Sequence, residues 1–120
     1  MAKILTADDS VFMRKILIKI LNKMGYEDII EADNGDEALE LYQEENPDLV
    51  LLDIVMKGKY GMDVLKELMK INPDARVIMV SAVGQESIVE EAMQIGAKNF
   101  ISKPFKEEKV IEIITEVMEA

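Results

Sequence analysis

Two short runs, Leu49-Val50-Leu51-Leu52 and Val77-Ile78-Met79-Val80, constrain the fold of this chain more than anything else in it. Each is apolar at every position and too short to be read as a helix. A strand with one wet face alternates apolar and polar residues, whereas a strand covered on both faces does not. These runs therefore predict central strands of a parallel sheet with helices packed above and below. Further strands are expected at Ile4-Leu5-Thr6-Ala7, Ile29-Ile30-Glu31-Ala32 and Asn99-Phe100-Ile101. Helices are expected from Ser10 to Met24, closed by Gly25, and from Asp36 to Glu45 after a turn at Asn34-Gly35. Three more are expected from about Met62 to Ile71, from Gln85 to Ile95 and from Lys106 to Glu119. Five strand–helix units with short connections imply right-handed crossovers and a doubly wound α/β sandwich. With no repeat and no linker, residues 1–120 are expected to form a single domain.

Composition narrows the chemistry. No apolar run approaches the roughly 18 residues of a membrane span. The segment Met1-Ala2-Lys3-Ile4-Leu5 meets Asp8 too soon for a signal-peptide core, so a cytoplasmic protein with no membrane insertion is expected. The 14 basic residues against 24 acidic ones give a net charge of −10, which argues against a nucleic-acid partner. The chain has no cysteine and no histidine. Thiolate chemistry, the usual general base and the commonest zinc ligand are thereby removed. Carboxylates, hydroxyls and lysines remain.

In an open α/β sheet, ligands bind beyond the carboxyl ends of the strands. Here the first strand runs into Asp8-Asp9-Ser10, the third into Asp53, the fourth into Ser81-Ala82 and the fifth into Ser102-Lys103-Pro104. Taken singly, several of these have ordinary explanations. Acids and serine cap helices, Ser81 can simply end a strand, and most lysines are solvated. Asp53 is harder to explain that way, because a loop and not a helix follows it. If the four strand ends converge, three carboxylates share one patch, and each pair at roughly 4 Å repels by about 1 to 4 kcal/mol. A hard cation such as Mg²⁺ relieves that repulsion. Beside an aspartate and a lysine, it makes a site suited to phosphoryl transfer.

These motifs resemble the receiver domains of two-component response regulators, and among them the stand-alone chemotaxis receivers. The resemblance covers Lys3 to about Met118. It rests on the acidic pair after strand one, Asp53 after strand three, Ser81-Ala82 after strand four and Lys103-Pro104-Phe105 after strand five. It implies a flavodoxin-like five-stranded sheet of order 2-1-3-4-5 with five helices and no output domain. Asp53 would be the phosphoacceptor, with Ser81 and Lys103 contacting phosphoryl oxygens. Asp8, Asp9, Asp53 and the backbone carbonyl of Val55 would hold Mg²⁺. Ser81 and Phe100 would form the switch, and Lys103-Pro104 corresponds to a peptide that is cis in the family. The phosphoryl donor would be a histidine kinase. The partner would be a flagellar motor switch or an archaeal chemotaxis adaptor, docking on a face that carries Glu86, Glu90, Glu91, Glu107 and Glu108 with Lys98, Lys106 and Lys109. The protein would be a monomer and a signalling phosphoacceptor, not an enzyme acting on other substrates.

Departures from the family pattern bear on function. The usual Met-Pro after the acceptor is Met56-Lys57, followed by Gly58-Lys59. The lysines are expected to be solvated, or else to soften the acidic site or steer an acidic partner. Val55 and Val83 stand where side chains tune attack by water, and neither can orient one, so slow self-dephosphorylation is expected. A receiver of a non-chemotaxis phosphorelay and an aspartyl-phosphate phosphatase remain as alternatives. The second would need a cap domain, for which 120 residues leave no room. A flavin or nucleotide carrier is disfavoured by Asp8-Asp9 in place of a glycine-rich phosphate loop.

Overall fold

In the computed structural model, which describes residues 2–82 and 84–120, strands and helices alternate from end to end. They are β1 (Lys3–Ala7), α1 (Val11–Lys23), β2 (Asp28–Ala32), α2 (Gly35–Glu45) and β3 (Leu49–Asp53), then α3 (Gly61–Ile71), β4 (Val77–Ser81), α4 (Glu86–Ile95), β5 (Asn99–Ser102) and α5 (Glu107–Glu119). All strand pairs are parallel and the order is β2-β1-β3-β4-β5, as expected.

The apolar runs do what their composition requires. Every residue of β3 and β4 is buried. Because side chains alternate across a strand, each run feeds two cores. Leu5, Val50, Leu52, Val77 and Met79 face one side, under Leu39 of α2, Leu65 of α3 and Val89 of α4. Ile4, Leu49, Leu51, Ile78 and Val80 face the other, under Leu17 and Leu21 of α1 and Ile114 of α5. Each fully buried Leu, Ile or Val contributes about 1.5–3 kcal/mol, so both faces need an unbroken apolar supply.

Strands three, four and five each run one residue past the apolar stretch. Backbone pairing continues through the first polar side chain: Asp53 pairs with Val80, and Ser81 with Ser102. The last rung of the sheet therefore holds the polar residues rigidly.

One local expectation is corrected. Gly35 is the first residue of α2 and not part of a preceding turn. Asn34 is its N-cap, accepting from the Glu37 N–H at 2.8 Å, while Glu37 accepts from the Asp33 N–H at 2.9 Å. That reciprocal arrangement satisfies two otherwise free N–H groups and starts the helix early. Ser10 caps α1 with a single bond, accepting from the Met13 N–H. Gly25, at φ +96°, follows the last turn of α1 as expected.

Candidate functional site

The sequence residues Asp8, Asp9, Asp53 and Lys103 are brought together at the carboxyl end of the sheet. One carboxylate oxygen from each aspartate lies within 4.8 Å of the others. Asp8 and Asp53 are buried and Asp9 is open to solvent. Lys103 Nζ stands 2.9 Å from Asp53 Oδ2 and 3.1 Å from Asp8 Oδ2, so a single ammonium bridges two strand ends. The Lys103 backbone N–H donates to the Ser81 carbonyl at 2.7 Å, and the Lys103–Pro104 peptide is cis. Ser81 is buried in the last rung of β4, next to β3. Phe100, on β5, is 39% exposed, which places the expected switch aromatic on the outside. Val55 is exposed on the loop after β3, and Val83 lies outside the described residues.

Local geometry fixes the carboxylates. Asp8 Oδ1 accepts from the Ser10 N–H at 2.9 Å. The Asp8 carbonyl accepts from Arg14 Nη1, and Arg14 Nε donates to Glu31 Oε1 at 2.9 Å. Asp53 Oδ1 receives a long contact of 3.4 Å from the Val55 N–H. Burial pushes the Asp53 carboxyl up to about 6, the hydrogen bond from Lys103 opposes this, and the charge of Asp8 adds to it. For Lys103, burial acts to lower the ammonium, but the hydrogen bonds and charges of Asp53 and Asp8 outweigh it and the net shift is upward. The pair is thus held as ammonium and carboxylate at neutral pH, with Asp53 the more easily neutralised partner.

When all are ionised, three carboxylates and one ammonium leave a charge of −3 + 1 = −2 at the cluster. The donors are all oxygens, which suits a hard divalent cation. The acid cluster can therefore hold a metal ion, and what it balances best carries two positive charges.

Three contributing residues were not picked out from sequence. Arg14 tethers the Asp8 carbonyl; the signal was a charged residue on the buried face of α1. Glu31, on edge strand β2, is its ion-pair partner. Gly61 opens α3 directly beneath Asp53, where a Cβ would lie 2.2 Å from the Asp53 carbonyl oxygen. Its N–H donates to the Ile54 carbonyl at 2.7 Å and closes the loop. Nothing in the sequence distinguishes that glycine from one that merely starts a helix. Lys59 does not face the acidic cluster; its ammonium pairs with Glu67 at 2.9 Å and Asp36 at 3.5 Å. A groove of about 540 Å³ lies between β5 and α5, with Lys103 and Pro104 among its lining residues.

The response regulator receiver domain family matches residues 4–115. The chain belongs to this family. As a receiver it is similar to a chemotaxis protein CheY of Thermotoga maritima, at 48% identity over 96% of each chain. It is likewise similar to a chemotaxis protein CheY of Bacillus subtilis, at 47% over 97% of each. Among solved structures, the receiver domain of NtrX from Brucella abortus superposes with a TM-score of 0.93 at 34% identity, over 98% of this receiver and 99% of that one. The family assignment makes the chain a signalling module of the response-regulator type.

Proposed function

We propose that this receiver accepts a phosphoryl group on Asp53 from the phosphohistidine of a histidine kinase and changes its affinity for a chemotaxis partner in response. The observation that carries the reading is the position of Asp53. It sits on a rigid last rung, buried between Lys103 and the Asp8–Asp9 pair. In the transfer, an Asp53 carboxylate oxygen attacks phosphorus, the P–N bond to the donor imidazole breaks, and the imidazole leaves and takes up a proton. Lys103 stays charged throughout and passes from Asp53 Oδ2 to a phosphoryl oxygen. The Ser81 hydroxyl donates to another. Held by Asp8, Asp9, Asp53 and the Val55 carbonyl, Mg²⁺ would neutralise charge that spreads over the phosphoryl oxygens. Phe100, outward in this structure, would turn inward as Ser81 moves, altering the face of α4, β5 and α5 on which a motor switch or adaptor docks.

Support for a stand-alone chemotaxis role comes from the two relatives named as chemotaxis proteins, which match this chain over nearly their whole lengths. Among the described residues no helix is long and apolar enough to cross a membrane; the proposed receiver acts as a monomer in the cytoplasm. Val11 and Phe12 are exposed at the start of α1, two and three residues after Asp9, and offer apolar surface to a protein donor.

The test is to incubate the protein with Mg²⁺ and a small phosphodonor and weigh it intact. One added phosphoryl group on the native chain and none on Asp53→Asn is expected. No label, or equal label on both, would remove the assignment. Partner binding is then compared with and without phosphate.

A further inference from the structure

The loop from Ile54 to Tyr60 carries the Val55 carbonyl, yet little in its own sequence stiffens it. It contains no proline, and Gly58 sits at φ +78°. Backbone bonds tie Ile54 to Val80 and Gly61, and beyond Ile54 two side chains attach the loop. Met56 is buried in the core near the start of the loop. Near its far end, Lys59 spans two helices: its ammonium lies 2.9 Å from Glu67 Oε2 on α3 and 3.5 Å from Asp36 Oδ1 on α2. Glu67 Oε2 is buried and makes no hydrogen bond of good geometry, so the lysine charge is what balances it.

The backbone of Lys59 is seated as closely as its side chain. A Cβ on Gly35, the first residue of α2, would lie 2.6 Å from Lys59 Cβ and 3.2 Å from its carbonyl oxygen. The Lys59 N–H donates to the Lys57 carbonyl at 2.9 Å, which tightens the loop tip. Loop, α2 and α3 therefore meet at one lysine.

We infer that Lys59 is a positioning residue: by strapping the loop after β3 to α2 and α3, it sets the Val55 carbonyl for the divalent cation. This rests on the site reading proposed above and adds a residue that touches neither cation nor phosphate. Charge and position predict opposite signs, which makes the inference sharp. A lysine acting only through its field would repel a nearby cation, and removing it would tighten metal binding. A lysine acting as a strap would, on removal, weaken it.

Lys59→Met and Lys59→Arg are compared with the native chain by Mg²⁺ titration followed by NMR, and by amide exchange in chelator. Lys59→Met is expected to weaken Mg²⁺ binding about tenfold, the low end of what residues that orient metal ligands contribute, because Lys59 acts on the ligand through the loop. It should also speed exchange of the Gly61 amide, with Lys59→Arg close to native in both. Unchanged or tighter Mg²⁺ binding by Lys59→Met overturns the inference while leaving the site reading in place. A native chain that binds no Mg²⁺ overturns the site reading itself, and the strap with it. Unchanged Gly61 exchange in Lys59→Met overturns the strap by a readout that needs no metal.

Discussion

Replacing Asp53 by asparagine in the metal-free protein is expected to stabilise the fold at neutral pH. Asparagine has the shape of the neutral carboxyl and keeps no charge. The carboxyl of Asp53 moves from 3.8 to about 6 on folding, chiefly through burial, with the Lys103 hydrogen bond opposing and the Asp8 charge adding. A raised folded value means the native state holds a proton that the unfolded chain has lost. The favourable contribution is present below about 4 and is lost as pH rises through about 6. Above that, ionised Asp53 carries a penalty of at most about 3 kcal/mol, at about 1.36 kcal/mol per pH unit. The rim of the site is open, so solvent screening reduces this to about 1–2 kcal/mol. For a domain of this size that is about 4–8 °C in melting temperature. Native and Asp53→Asn proteins are unfolded with urea and with heat in chelator, followed by far-UV circular dichroism. The variant is expected to be the more stable at about pH 7.5, with the difference roughly halved at about pH 5. Added Mg²⁺ should stabilise the native chain more than the variant, because only the native site has its full ligand set. A variant less stable than native at neutral pH in chelator would refute the reasoning: it would mean the Lys103 ion pair outweighs the burial of the charge.

Three further outcomes are expected. Gly61→Ala forces a Cβ against the Asp53 carbonyl oxygen and the Ile54 backbone, and should lose about 2–3 kcal/mol of stability by urea unfolding together with phosphate acceptance. Val55→Asn places a polar side chain on the exposed lip of the site and should speed acyl-phosphate decay several-fold, read by intact mass over time; an unchanged rate counts against a role for Val55 in slow dephosphorylation. Lys103→Met removes the cation that lowers Asp53, so the Asp53 carboxyl should titrate above its present value of about 6, as followed by carbon NMR of the side chain.

Much of this was legible because the sheet is buried on both sides. Leu49 to Leu52 and Val77 to Val80 could be nothing but central strands, and the polar residues after them had to fall at one end. The strand order was not legible in periodicity; it came with the family resemblance. What escaped was set by contacts between distant segments. Arg14 reads as one more helix charge until its guanidinium is seen on the Asp8 carbonyl. Lys59 reads as a companion of Lys57 beside the acids, yet Glu67 and Asp36 draw it to the other side of the loop. Gly35 looked like a turn because Asn-Gly often is one, but Asn34 and Glu37 cap each other across it.

The site is assembled from residues far apart in the chain: Lys103 meets Asp53 across 50 positions, and Asp8 lies 53 − 8 = 45 positions before Asp53. None of the contacts between β1, β3 and β5 exists until the crossovers that bring those strands into one sheet are complete. A nascent or locally opened chain has Asp53, the proposed acceptor, but not the ammonium that meets it. On the proposed reading, phosphorylation requires the assembled fold, and a damaged molecule falls silent instead of reporting falsely.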